Sequence, residues 1–85
     1  MKIKAGQQVR VTWRDAASTD NGWEDIADFD FESLKIASVM QSLGTVIGVD
    51  KEYVFVAQNA RAVLDQCCAV IAIPLGCIIK VKRLE

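Results

Sequence analysis

Eighty-five residues, 52% hydrophobic and 25% charged, describe one globular domain rather than a disordered chain. A chain this short buries only roughly 60–65% of the surface its unfolded form exposes, so its core must be dense in apolar groups. A net charge of −1 gives no global field toward nucleic acid or anionic lipid. The longest apolar run, Cys67 to Ile79, is 13 residues and contains Pro74, short of the about 20 that a membrane-spanning helix needs.

The opening MKIKAGQQVR has no apolar stretch of the kind a leader carries, so neither signal peptide nor membrane anchor is expected. Three cysteines without a secretory signal point to free thiols in a reducing, cytoplasmic compartment. The terminal Leu84-Glu85 is set aside as a vector-derived junction.

The first predicted element is QVRVTWR, residues 8–14. Val9, Val11 and Trp13 alternate with Gln8, Arg10, Thr12 and Arg14, which is the pattern of a half-buried strand with Trp13 in the core. An acidic segment follows. Residues 15–32 hold Asp15, Asp20, Glu24, Asp25, Asp28, Asp30 and Glu32 and no base, so the rest of the chain carries ten bases against four acids, or +6. Within it, Trp23 follows the turn cluster STDNG. Its ring is expected to cap the core from the loop with Ile26 and Phe29 or Phe31; the alternative is an exposed aromatic anchor for a partner. DFDFE, residues 28–32, reads as a strand or loop with Phe29 and Phe31 inward beneath a rim of Asp28, Asp30 and Glu32.

SLKIASVMQSLGTVIGVD, residues 33–50, is too long for one flat strand, and Gly44 and Gly48 supply places to bend it. Asp50-Lys51 marks a tight hairpin into EYVFVAQ, although the pair lacks the glycine such turns prefer. QNARAVLDQ reads as a polar connection with a helical turn. In CCAVIAI both alternating sets are apolar: Cys67, Ala69, Ile71 and Ile73 on one, Cys68, Val70 and Ala72 on the other. Such a strand is covered on both faces, or on one by its own domain and on the other by a partner. Pro74 lacks an N–H and must end the ladder. PLG is one tight turn into CIIKVKR, where Cys77, Ile79 and Val81 are expected opposite Ile78, Lys80 and Lys82. About five short strands, with a long acidic loop after the first, predict an all-β fold: a small SH3-like or Sm-like barrel, closed or half-closed, over residues 1–85.

Chemistry is sparse. Cys67, Cys68 and Cys77 have no zinc-type spacing, and the chain has no histidine. They are expected to be buried packing groups, with no catalytic thiolate among them. Carboxylates at Asp28, Asp30 and Glu32 could in principle hold Ca²⁺ or Mg²⁺, but an EF-hand frame fails: counted from Asp28, position 6 is Ser33 and position 12 is Val39. They read as a solvated rim, and no metal, cofactor or enzymatic activity is expected. Two kinds of surface remain. Trp23, Asp25, Asp28, Asp30 and Ile78 are candidates for a protein partner, and the second face of CCAVIAI together with Ile78 suggests self-association through the last two strands. Arg10, Arg14, Lys80, Lys82 and Arg83 are the candidates for nucleic acid.

VRVTWRDAAS (9–18), Trp23, ASV (37–39) and CCAVIAIPLGCIIKVKRL (67–84) together form a pattern that resembles a group of small uncharacterised proteins of tailed phages and prophages. The chain departs from it at Met40-Gln41, where the group has glycine and an aromatic. The resemblance implies an origin in phage and a bacterial host's cytoplasm, with no activity attached. By architecture the chain is also similar to SH3-like and Sm-like barrels, which bind peptides, RNA or copies of themselves.

Overall fold

The structure, a computed structural model, describes residues 2–19 and 22–84, and of Ala62 the backbone only. Asp20 and Asn21 of the turn cluster, and the terminal Glu85, lie outside the described residues. The fold is all-β: β1 (Gln8–Arg14), β2 (Val39–Val49), β3 (Tyr53–Arg61), β4 (Gln66–Pro74) and β5 (Ile78–Arg83) form one antiparallel sheet in the order β4-β3-β2-β1-β5. Among the described residues β4 pairs with β3 and β5 with β1, so these two strands are the edges. Closure of the barrel by hydrogen bonds between them is not part of the ladder. The 3₁₀ turn Leu75–Cys77 joins them, as the proline corner predicts. Leu84 continues the sheet, its N–H donating to the Gln8 carbonyl at 2.9 Å.

The alternation in β1 is borne out. Val9, Val11 and Trp13 are buried and cluster with Val46, Val54, Val56 and Ile73. Trp13 satisfies its one polar atom by donating from Nε1 to Ser42 Oγ at 3.0 Å. Among the described residues no polar or charged residue is buried, so apolar burial is the main force on the core.

The acidic segment departs from expectation. DFDFE is not one strand or loop: Phe29-Asp30 is a two-residue link, extended at Phe29, between a turn that Asp28 closes and a helix that Phe31-Glu32 opens. A 3₁₀ turn, Ile26–Asp28, leads to helix α1 (Phe31–Ala37). Asp30 is the reason: its Oδ1 accepts from the Ser33 N–H at 3.0 Å and its Oδ2 from the Ser33 hydroxyl at 2.6 Å, which caps the helix start. Lys35 Nζ then pairs with Glu32 Oε1 at 3.0 Å along one face. A five-residue alternation is weaker evidence than an Asp cap three residues before a serine.

The two glycines of β2 do different jobs. The register of β2 on β3 shifts between Val46 and Gly48, so the bend lies there, as a bulge. At Gly44 a Cβ would fall 2.9 Å from Val56 Cγ1 and against the Ala57 carbonyl; this glycine lets two backbones approach. The β2–β3 turn centres on Lys51-Glu52. Asp50 Oδ1 accepts from the N–H groups of Glu52 (2.8 Å) and Tyr53 (2.7 Å), an Asx-type turn that dispenses with glycine.

In β5 the expected faces are partly reversed. Thr12 pairs with Lys80 but Trp13 with Ile78, so Ile79 is an extra residue. That bulge turns Ile78 inward, where it packs on the core with Cys77 and Val81, and leaves Ile79 exposed. Among the described residues no helix is long and apolar enough to cross a membrane.

Candidate interaction surface

The body of the sheet ends before the β3–β4 hairpin does. Residues Val54, Val56 and Ala57 of β3 and Ile73 of β4 are buried, whereas Gln58–Arg61 and Gln66–Val70 are exposed throughout. The two strands stay paired beyond the body through Asn59–Cys68, Ala60–Cys67 and Arg61–Gln66. A 3₁₀ turn, Ala62–Leu64, and Asp65 at φ 51° close the tip. The result is a projecting ribbon, residues 58–70, on a molecule 55 × 24 × 23 Å in extent. Where it leaves the body, Ala69 sits at φ 53° and its pairing with Gln58 is missing, although the register is unbroken on both sides. A left-handed alanine costs about 1–2 kcal/mol relative to an ordinary backbone conformation.

Directly opposite residues of an antiparallel pair share a face. One face of the ribbon therefore carries Gln58, Ala60, Cys67 and Ala69, in line with Val56, Ile71 and Ile73 of the body. The other carries Asn59, Arg61, Gln66, Cys68 and Val70. At the tip, Val63 is 97% and Leu64 61% exposed. An open hollow of about 670 Å³ beside the ribbon is lined by Asn59, Ala60, Arg61, Gln66, Cys67 and Cys68.

This corrects the reading of the cysteines. Cys77 is half-buried and packs on the core, but Cys67 and Cys68 are exposed. The alternation assigned each residue to the right face; it could not show that the strand outruns the body that would cover it. Among the described residues no group of three His, Cys, Asp or Glu side chains is placed to hold a metal ion.

The other predicted positions separate into two regions. Trp23 does not cap the core: it is fully exposed, as is most of Ile26. Phe29 and Phe31 instead contact each other edge to face, with ring centroids 5.0 Å apart. Asp25 and Asp28 are exposed. Asp30 is exposed too but engaged as the helix cap, and its hydrogen bonds from the Ser33 side chain and backbone hold its carboxyl below the ordinary aspartate range. Ile78, expected on a partner surface, is instead half-buried and packs against the core. The ribbon, which no single sequence signal marks as exposed, is the surface the sequence reading missed; its trace in the sequence is an apolar strand followed back into a polar turn with nothing predicted to cover its outer length.

Among the cations, Arg10 lies directly opposite Lys82, and Lys80 lies opposite Thr12 on the same outward face, with Arg14 further along β1. Arg83 lies opposite the buried Val9 and so is on the other side of its strand. Among the described residues no acid forms an ion pair with Arg10, Lys80 or Lys82. No protein-family model, curated protein or solved structure matches the chain.

Proposed function

We propose that this is a non-enzymatic interaction protein of phage or prophage origin, acting in the bacterial cytoplasm through protein contacts made by the β3–β4 ribbon, self-association first among them. One observation carries the reading: residues 58–70 form a two-stranded ribbon, apolar at Val63 and Leu64 of its tip and uncharged along its core-side face, that the body leaves uncovered. An isolated two-stranded ribbon is marginal in water, so a partner surface is what gives this one a reason to be ordered. The origin is supported by the VRVTWRDAAS and IPLGCII resemblance. Light scattering on size-fractionated protein over a wide concentration range tests the reading: mass above one chain supports it, and monomer at every concentration overturns self-association.

A second reading rests on the Arg10–Lys82 pair. Like charges directly opposite one another on a sheet destabilise it, and with Lys80 and Arg14 they form a cationic stripe suited to a phosphate backbone. A gel-shift titration with single- and double-stranded DNA and RNA at low salt decides it. Binding through this stripe weakens steeply with salt; absence of any shift removes it.

A further inference from the structure

We propose that a second copy of the chain covers the ribbon, the two ribbons packing core-side face to core-side face across a two-fold axis, with Ala60 and Cys67 at the contact. This deepens the self-association reading and depends on it. The face chosen is the continuation of the core. Val56, Ile71 and Ile73 lie within the body, and the same face runs on as Ala69 and Gln58, then Ala60 and Cys67, with one polar amide and no charged side chain on it. The opposite face carries Arg61, and the turn carries Asp65.

Charge selects the occupant. The ribbon is neutral, one Arg against one Asp, so it offers nothing to a polyanion or an anionic lipid surface. A second copy of the same uncharged face brings no like charges together. Area agrees. The chain exposes 6635 Å² over 85 residues, about 80 Å² each, so the thirteen ribbon residues present on the order of 1,000 Å² over both faces; one face offers about 500 Å², and two copies together bury about 1,000 Å², the least that a specific interface needs. Small side chains at positions 60, 67 and 69, with Gln58 the one long side chain at the base of the face, let the outer parts of the ribbons come as close as the ~10 Å typical of facing sheets.

The two adjacent thiols make the face testable, because Cys67 and Cys68 point to opposite sides. Two single-cysteine chains are needed: Cys68→Ser with Cys77→Ser, leaving Cys67, and Cys67→Ser with Cys77→Ser, leaving Cys68. Circular dichroism establishes that each is folded, and light scattering that each retains the wild-type mass. A short bismaleimide is then expected to join the Cys67 chain into dimers on the order of ten-fold faster than the Cys68 chain, the gain expected of thiols held at high effective concentration. Ala60→Arg is expected to dissociate the dimer, by placing like charges face to face, while Asn59→Arg on the opposite face leaves it intact. Cross-linking through Cys68 instead, or equal effects of the two arginine variants in a protein that still self-associates, overturns the face assignment and spares the self-association reading. Monomer in every measurement overturns both.

Discussion

Gly44→Ala and Gly48→Ala are the same chemical change four residues apart on β2, yet the structure gives them opposite outcomes. At Gly44 the added methyl would meet the Ala57 carbonyl, with Val56 Cγ1 also within 2.9 Å. The obstacle is backbone of the neighbouring strand and cannot swing aside as a side chain can. Overpacking of this kind costs about 1–3 kcal/mol, and the upper end applies because β3 itself must move. Removing a glycine from a strand returns about 0.5–1 kcal/mol, so the net loss is about 2 kcal/mol. For a domain of this size each kcal/mol moves Tm by about 4–8 °C, so Gly44→Ala is expected to melt about 8–16 °C below the parent. At Gly48 the new Cβ would lie 3.7 Å from Phe55 Cδ2, an ordinary contact, and the same entropy gain of about 0.5–1 kcal/mol stands unopposed. Urea titration followed by far-UV circular dichroism measures both. A Gly44→Ala variant within about 0.5 kcal/mol of the parent, or a Gly48→Ala variant as damaged as Gly44→Ala, refutes the assigned close approach of β2 and β3.

Four further substitutions and titrations have definite expected outcomes. Ile73→Ala removes a side chain with no exposed surface and is expected to cost about 2–5 kcal/mol by denaturant titration. Ser42→Ala deprives the buried Trp13 indole of its acceptor and should cost about 1 kcal/mol, with a change in tryptophan emission reporting the altered surroundings. Ala69→Gly relieves the left-handed backbone at the base of the ribbon and is expected to stabilise by about 1 kcal/mol, whereas Ala69→Val should destabilise. Asp30 ionises more readily folded than unfolded. Its contribution to α1 is therefore complete above the unfolded carboxyl's pKa and is lost as pH falls through the lower, folded value. An acid titration of helical signal should show that loss in the parent and not in Asp30→Ala.

Much of the sheet was legible from the chain alone. Period-2 alternation placed Val9, Val11 and Trp13 in the core, Pro74 marked the end of β4, and the residues of CCAVIAI were sorted correctly between two faces. These are local properties: which way a side chain points along a strand is set by the strand's own geometry. Even so, local signals can compete. The Asp30 cap overrode the alternation of DFDFE because it satisfies a backbone donor that an extended chain would leave to water.

What the sequence could not determine is how far the body reaches. Cys67 and Ile73 have the same spacing pattern and face the same side, but Ile73 is sealed beneath β1 and β2 while Cys67 stands in solvent beyond them. Ile78 and Ile79 exchanged roles because one extra residue slipped into the pairing with β1, and Trp23 is exposed because its loop does not fold back over the core. Burial depends on which strands end where. That is a relation between segments distant in the chain, and only the assembled sheet decides it.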